Sequence, residues 1–235
     1  MIDAPADEGR KTSRFAPKAW LVWPLLALAV ACVIVAFTVP IKRKPPSTAP
    51  IDAAPSSYFP APLFTLKERS GAEITIADLR GKVWIAAFIF TRCKMGCEEV
   101  TATMVKLQSE LNLAEADDLR LVTFTVDPER DTLADLQTYA TKVKSHPSKW
   151  LYLTGSEKYV RMLLKEGFKV TAEKKTDGKP GDEFDHTTKL YVIDKRGDIR
   201  GSFDGKQGAS DLDGEHYLHS QERLKALVAE LRQEQ

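Results

Sequence analysis

Phe88-Ile-Phe-Thr-Arg-Cys93-Lys-Met-Gly-Cys97-Glu-Glu99 is the stretch on which the fold turns: apolar, strand-like residues stop at one cysteine, and a helical pattern starts at the next. Upstream, Gly81-Lys-Val-Trp-Ile-Ala-Ala-Phe-Ile-Phe90 is nearly continuous in apolar residues, as a central strand buried on both faces must be. Downstream, Val100, Met104, Leu107 and Leu111 recur at helical spacing, with Glu98 and Glu99 in the first turn, where carboxylates suit the helix dipole. Strand, thiols and helix therefore make a βα unit. A thiol delivered to a helix N-terminus meets unpaired backbone N–H groups and the positive dipole end, which favour the thiolate. Thiolate is the form that binds soft metals and attacks disulfides.

Outward from this unit, the pattern continues as alternating strands and helices. Phe64 to Ile76 alternates around a Ser70-Gly71 turn and predicts an N-terminal hairpin. Leu121 to Val126 predicts a strand that ends in Asp127-Pro-Glu-Arg-Asp-Thr132. Leu133, Leu136, Tyr139, Ala140 and Val143 then mark a helix, with Thr132 and Asp135 as its capping box. Trp150 to Leu153 is a short strand and Ser156 to Glu166 a helix. Lys189 to Asp194 and Asp198 to Phe203 form a hairpin across Lys195-Arg196-Gly197. From Ser220 a terminal amphipathic helix turns Leu224, Leu227, Val228 and Leu231 inward. The predicted class is α/β in a thioredoxin-like layout, a mixed central sheet flanked by helices, with an N-terminal hairpin and an inserted hairpin.

Ahead of this domain the composition changes. Residues 1–18 are polar and carry acids (Asp3, Asp7, Glu8) as well as bases, unlike an acid-poor mitochondrial transit peptide, and they read as a short disordered tail. Residues 19–39 hold no charge, and a run of that length satisfies the roughly 20 residues needed to cross a bilayer. Trp20 and Trp23 sit at one end as interfacial indoles, and Pro24 falls in the first turns, where a proline costs least. The expectation is one transmembrane helix. A cleaved signal peptide is the competing interpretation, and Ala29-Val-Ala-Cys32 has a faint likeness to a lipidation site, but the apolar run continues past Cys32. Four basic residues precede the span and Lys42, Arg43 and Lys44 follow it, which leaves its orientation open. Residues 40–62 contain seven prolines and read as an extended linker, which leaves 63–235 as the folded domain.

A formal net charge of +1 supplies no single-sign field, so nucleic-acid binding has no electrostatic support. Of three cysteines only Cys93 and Cys97 lie in the folded domain, too few for a disulfide scaffold. With Cys97 in the first helical turn the pair is about one turn apart, near the roughly 6 Å Cα separation that a disulfide tolerates. The pair is thus a redox couple, a metal clamp or both. Two packed core thiols are the remaining alternative, against which stands the charged Lys94 between them.

Adding one imidazole makes a soft set of two sulfurs and one nitrogen suited to copper, whereas a closed zinc site asks for four ligands. His186, in Glu-Phe-Asp-His-Thr-Thr-Lys-Leu-Tyr-Val-Ile-Asp194, is the candidate, with Asp185 beside it to orient the ring. A lone histidine before a strand is more often a solvated or hydrogen-bonded residue than a ligand. His146 beside Pro147, and His216 and His219 in a polar stretch before the last helix, read as surface residues.

Three motifs in order, Phe88-Ile-Phe-Thr-Arg-Cys-(three residues)-Cys97, Thr125-Val-Asp-Pro-Glu-Arg-Asp-Thr132 and Asp185-His-(three residues)-Leu-Tyr-Val-Ile-Asp-Lys-Arg-Gly197, resemble the Sco/SenC family over roughly 60–234. A single N-terminal anchor followed by a proline linker is similar to that family too. The resemblance implies a membrane-tethered, thioredoxin-like protein that binds copper, as Cu(I) or Cu(II), through Cys93, Cys97 and His186. It further implies a role in assembling the dinuclear copper site of cytochrome c oxidase, with the oxidase copper-site subunit or another copper chaperone as partner. It places the folded domain in the periplasm, on a bacterial inner membrane, and residues 1–18 on the cytoplasmic side, with the mitochondrial intermembrane space as the alternative to the periplasm.

The loop departs from the family pattern. Lys94-Met95-Gly96 stands where Pro-Asp-type residues are usual, and Glu98 where a proline is usual. Lys94 is expected to lower the thiol pKa while repelling a cation, and Met95 offers a soft thioether beside the metal or a packing residue. Two further functions stay open. A thiol-disulfide oxidoreductase reducing a copper-site apoprotein needs only the cysteines. A peroxiredoxin-like peroxidase would enlist Thr91 and Arg92 beside Cys93.

Overall fold

The computed structural model describes residues 59–234. The expected tail, membrane helix and most of the linker lie outside the described residues. Among the described residues no helix is long and apolar enough to cross a membrane.

In chain order the elements are β1 (Phe59–Pro60), β2 (Thr65–Glu68), β3 (Glu73–Thr75), a single-turn helix α1 (Ile76–Leu79), β4 (Val83–Ile89), α2 (Cys97–Glu110), β5 (Leu119–Thr125) and α3 (Leu133–Lys142). There follow β6 (Trp150–Thr154), α4 (Glu157–Met162) running into a π-helical turn (Leu163–Gly167), β7 (Ala172–Lys174), β8 (Phe184–His186), β9 (Lys189–Ile193), β10 (Asp198–Asp204) and α5 (Glu215–Gln233).

All seven residues of β4 are buried, because strands flank it on both edges and helices cover both faces. It pairs in parallel with β5, from Val83 opposite Leu119 to Ile89 opposite Thr125, since α2 carries the chain back across the sheet. On its other edge β9 runs antiparallel, with Trp84 opposite Ile193. The full sheet has the order β1-β10-β9-β4-β5-β6-β2-β3, and β7-β8 forms a separate two-stranded ribbon. This is the mixed sheet with flanking helices that the sequence predicted, including the N-terminal hairpin β2-β3 and the later hairpin β9-β10. Thr132 and Asp135 form the expected capping box at α3, the Thr132 hydroxyl accepting from the Asp135 N–H at 3.2 Å.

Aromatic side chains fill the layer under β4. Phe88 stacks on Phe124 at 5.6 Å, and Phe168 meets both edges, 5.2 Å from Phe88 and 5.1 Å from Phe124. Burying such rings contributes roughly 1.5–3 kcal/mol each, so this cluster fixes the end of β4 from which the cysteine loop departs.

Four features differ from the sequence expectations. Phe59 and Pro60 already pair with β10, and the Ala61 N–H donates to the Gly197 carbonyl at 2.8 Å, so packing begins ahead of residue 63. The helix expected over Ser156–Glu166 changes pitch at Leu163 and closes at Gly167, where a Cβ would fall 2.4 Å from Pro62. Helix α5 starts at Glu215 rather than Ser220, because Gly214 at φ +75° turns the chain and the Asp211 carboxylate accepts the His216 and Tyr217 N–H groups. His216 and His219 therefore sit on the helix and not in a loop ahead of it. Lastly, the ribbon β7-β8, with Ala172 opposite His186, had no counterpart in the sequence reading.

Candidate metal centre

The β4 strand delivers its chain end to a turn in which the Cys93 N–H donates to the Phe90 carbonyl at 3.1 Å. Gly96, at φ +98°, then reverses the backbone into α2, a conformation that disfavours any residue with a Cβ. Cys97 is consequently the first helical residue, as expected, and the turn folds Cys93 back toward it. Both thiols are buried and unpaired.

His186 arrives from the opposite side, on the ribbon. Phe184 and His186 both lie on the inward side of β8 while Asp185 points out, the alternation of a half-buried strand. Phe90 receives both: its ring meets Phe184 at 5.3 Å and the His186 imidazole at 5.7 Å, each edge to face. The imidazole Nε2 comes within 3.2 Å of Cys97 Sγ and 3.9 Å of Cys93 Sγ. Its Nδ1 lies 3.0 Å from the Thr187 carbonyl, to which it donates, and this contact turns Nε2 toward the sulfurs. Asp185, expected to orient the ring, is exposed, and the Thr187 carbonyl takes that place.

The two thiols are electrostatically unequal. Cys93 is lowered from 9.0 to about 4: the Cys97 thiol donates to it, outweighing burial, and His186 and the Met95 and Cys97 backbone N–H groups add to the effect. Cys97 is pushed upward by burial and by the Cys93 sulfur beside it. The helix N-terminus was expected to activate a thiol, and its free N–H serves Cys93 and not the cysteine that begins the helix.

Lys94 packs its stem against the loop that joins β7 to β8. Its methylenes lie over Gly181, where an added Cβ would come within 2.7 Å of the Lys94 Cγ. Met95 is 64% exposed, so it is not a core residue.

Donor atoms about 2.0–2.3 Å from one ion lie no more than about 4.6 Å apart. The Cys93, Cys97 and His186 donor atoms all fall within 4.8 Å of one another, so a shift of a few tenths of an ångström closes them round one cation. Two thiolate-forming sulfurs and an imidazole are a soft set that fits a copper ion.

The other sequence candidates go elsewhere. His146 Nδ1 accepts the Ser148 and Lys149 N–H groups and caps a turn. His216 is 3.5 Å from Asp204 on the surface. Thr91 donates its hydroxyl to Asp131 at 2.6 Å, and Arg92 pairs with Asp127 at 3.3 Å, so neither is directed at Cys93 as a peroxide site would require.

Phe90 and Thr187 are the site residues that sequence reasoning missed. The inward alternation of Phe184 and His186 was the legible signal, since it marks a strand with the imidazole on the same face as an aromatic side chain.

A family model described as SCO1/SenC matches residues 55–215. A SCO1 protein homolog of Bacillus subtilis (strain 168) is 33% identical over 152 residues, covering 64% of this chain and 76% of its own. Among solved structures, BsSco is 27% identical with a TM-score of 0.62, covering 76% of this chain and 96% of its own. It is described as having a disulfide switch and as a member of the Sco family of cytochrome c oxidase assembly proteins. Bradyrhizobium japonicum ScoI, solved with copper bound, shares the fold at 22% identity and a TM-score of 0.58, covering 74% of this chain and 99% of its own.

Proposed function

Because the chain belongs to the SCO1/SenC family, we propose that it is a copper-binding metallochaperone assisting assembly of the dinuclear copper site of cytochrome c oxidase. Cys93, Cys97 and His186 are its ligands, for Cu(I) and Cu(II) alike. The observation that carries this is the convergence of exactly these three soft donors within 4.8 Å from a loop and a ribbon far apart in sequence. Copper bound in ScoI, and the description of BsSco as an oxidase assembly protein, support the choice of ion and pathway. The receiving partner is the oxidase copper-site subunit or a second copper chaperone.

Anchoring belongs to the same proposal. Residues 19–39 form the single membrane span, 1–18 remain on the cytoplasmic side, and 40–62 hold the folded domain off a bacterial inner membrane in the periplasm. A mitochondrial inner membrane with the domain in the intermembrane space is the alternative. Support comes from the uncharged run and the proline spacing. Recovery of the full chain in the alkali-soluble fraction of membranes would overturn the anchor.

Anaerobic titration of the reduced protein with Cu(I) tests the metal assignment. One equivalent should bind tightly, and Cys93→Ser, Cys97→Ser and His186→Ala should each lose tight binding. Copper retention by His186→Ala equal to that of the unaltered protein overturns the three-ligand centre.

A second function, reduction of a disulfide in a copper-site apoprotein, is favoured by the lowering of Cys93 to about 4 beside a protonated Cys97. A low-pKa thiolate with a resolving thiol is the arrangement that thiol-disulfide exchange needs, and His186 is dispensable to it. Undiminished turnover of a disulfide substrate by His186→Ala would favour this function over copper delivery.

A further inference from the structure

Two hydrogen-bonded routes leave the chain neighbours of Cys93 and meet at one carboxylate. From Arg92, Nη2 reaches Asp127 Oδ2 at 3.3 Å, and the same Oδ2 accepts Arg130 Nε at 2.6 Å. Arg130 Nη1 then donates to Glu183 Oε1 at 2.8 Å. From Lys94, the backbone N–H donates to the Gly181 carbonyl at 2.8 Å, and the Gly181 N–H donates to Glu183 Oε2 at 2.9 Å. Both oxygens of Glu183 are thus engaged, one by each route. Its backbone carbonyl accepts the Lys175 N–H at 2.8 Å and closes the ribbon loop.

Glu183 immediately precedes β8 and is three residues from His186. The ribbon that carries the imidazole has only one other strand to pair with, β7, and a two-stranded ribbon is marginally stable alone. Something must hold it against the cysteine loop. Asp127 is buried and the Glu183 side chain is 15% exposed, while the Arg130 side chain that joins them is 39% exposed, so the strength of the bridge lies in its short charge-assisted hydrogen bonds to both carboxylates. Gly181 completes the fit: at φ +92° it takes a backbone conformation that side chains disfavour, and a Cβ there would collide with Lys94.

We propose that Glu183, clamped by Arg130 on one oxygen and by the Gly181 N–H on the other, is a positioning residue that sets the separation between the His186 imidazole and the Cys93–Cys97 pair. The clasp touches none of the three donors. It acts by joining the cysteine loop to the histidine ribbon, and its effect on copper rests on the metal assignment above. Groups that orient metal ligands are typically worth about 10- to 100-fold in affinity, and an effect of that size is expected here.

The test compares Glu183→Gln, Arg130→Gln and the double variant. In the metal-free proteins, amide hydrogen exchange over residues 172–186 should quicken about tenfold in each single variant, the scale of one lost charge-assisted hydrogen bond. The double variant should exchange no faster than the faster single, because both substitutions break one bridge. In the copper(II)-loaded proteins the nitrogen hyperfine coupling in the electron paramagnetic resonance spectrum should weaken, while Cu(I) is still held one to one by the thiols. A merely structural residue would not alter nitrogen coupling selectively. Exchange at the unaltered rate in both single variants overturns the clasp, and so does full additivity in the double variant. Failure of the unaltered protein to bind copper would instead overturn the metal assignment, leaving the clasp to be decided by exchange alone.

Discussion

Cys97 Sγ lies 3.2 Å from His186 Nε2 although 89 positions separate them in the chain. The contact joins the first residue of α2 to the last residue of β8, which belongs to the separate two-stranded ribbon and not to the main sheet. Phe90 makes it possible by presenting one ring to Phe184 and to the imidazole at once. A site assembled this way depends on the ribbon staying docked, and its chemistry depends on which thiol holds the proton.

Removing the imidazole separates metal retention from metal geometry. In His186→Ala, two sulfurs remain to hold Cu(I), but affinity should fall by more than about 100-fold, beyond what a lost orienting group costs. Competition against a calibrated Cu(I) chelator measures this, and a drop of less than threefold would contradict the assigned ligand role.

The thiols should react in a fixed order. Cys93 is lowered to about 4 from an ordinary 9.0, so its thiolate persists from alkaline pH down to the acid range and is lost only as pH falls through about 4. Cys97, shifted upward, stays protonated across that window. Pulse alkylation of the reduced, metal-free protein, followed by peptide mass spectrometry, should label Cys93 first with a rate that is nearly flat above pH 5. An inflection near pH 8–9 would show instead that Cys93 is an ordinary thiol.

Phe90 is 1% exposed and touches both the ribbon and the imidazole. Phe90→Ala should cost about 3–5 kcal/mol of stability by leaving a cavity. It should also cost copper affinity, because the ring that seats His186 is gone. Phe90→Leu should recover most of the stability and little of the affinity. Urea melts and chelator competition on the two variants check the split, and equal recovery of both quantities would refute it.

Gly167 closes the π-helical turn against Pro62, leaving no room for a Cβ. Gly167→Ala should therefore destabilise the domain by about 1–3 kcal/mol, the cost of overpacking. Deleting the residues before Leu63 should remove that penalty along with the stabilisation from β1. If Gly167→Ala melts like the unaltered protein, the Pro62 contact does not constrain this turn.

The strand and helix around the two cysteines and the hairpins at either end were legible in the sequence alone, whereas His186 was singled out as a ligand only through the resemblance to the Sco/SenC family. Apolar run length, helical spacing and capping residues are local properties, and β4, α2 and the α3 capping box follow from them directly. The start of α5 at Glu215 was misplaced, because its Asp211 cap acts across a turn that hydrophobic spacing does not mark. Only the tertiary structure decided that Cys93, and not the helix-initiating Cys97, carries the lowered pKa, because burial and the orientation of one thiol toward another are not encoded in spacing. It also decided that the Thr187 carbonyl and Phe90, not Asp185, set the imidazole. Docking of the ribbon depends on charge pairs and ring contacts between residues tens of positions apart, and such long-range pairing leaves no periodic trace in the chain.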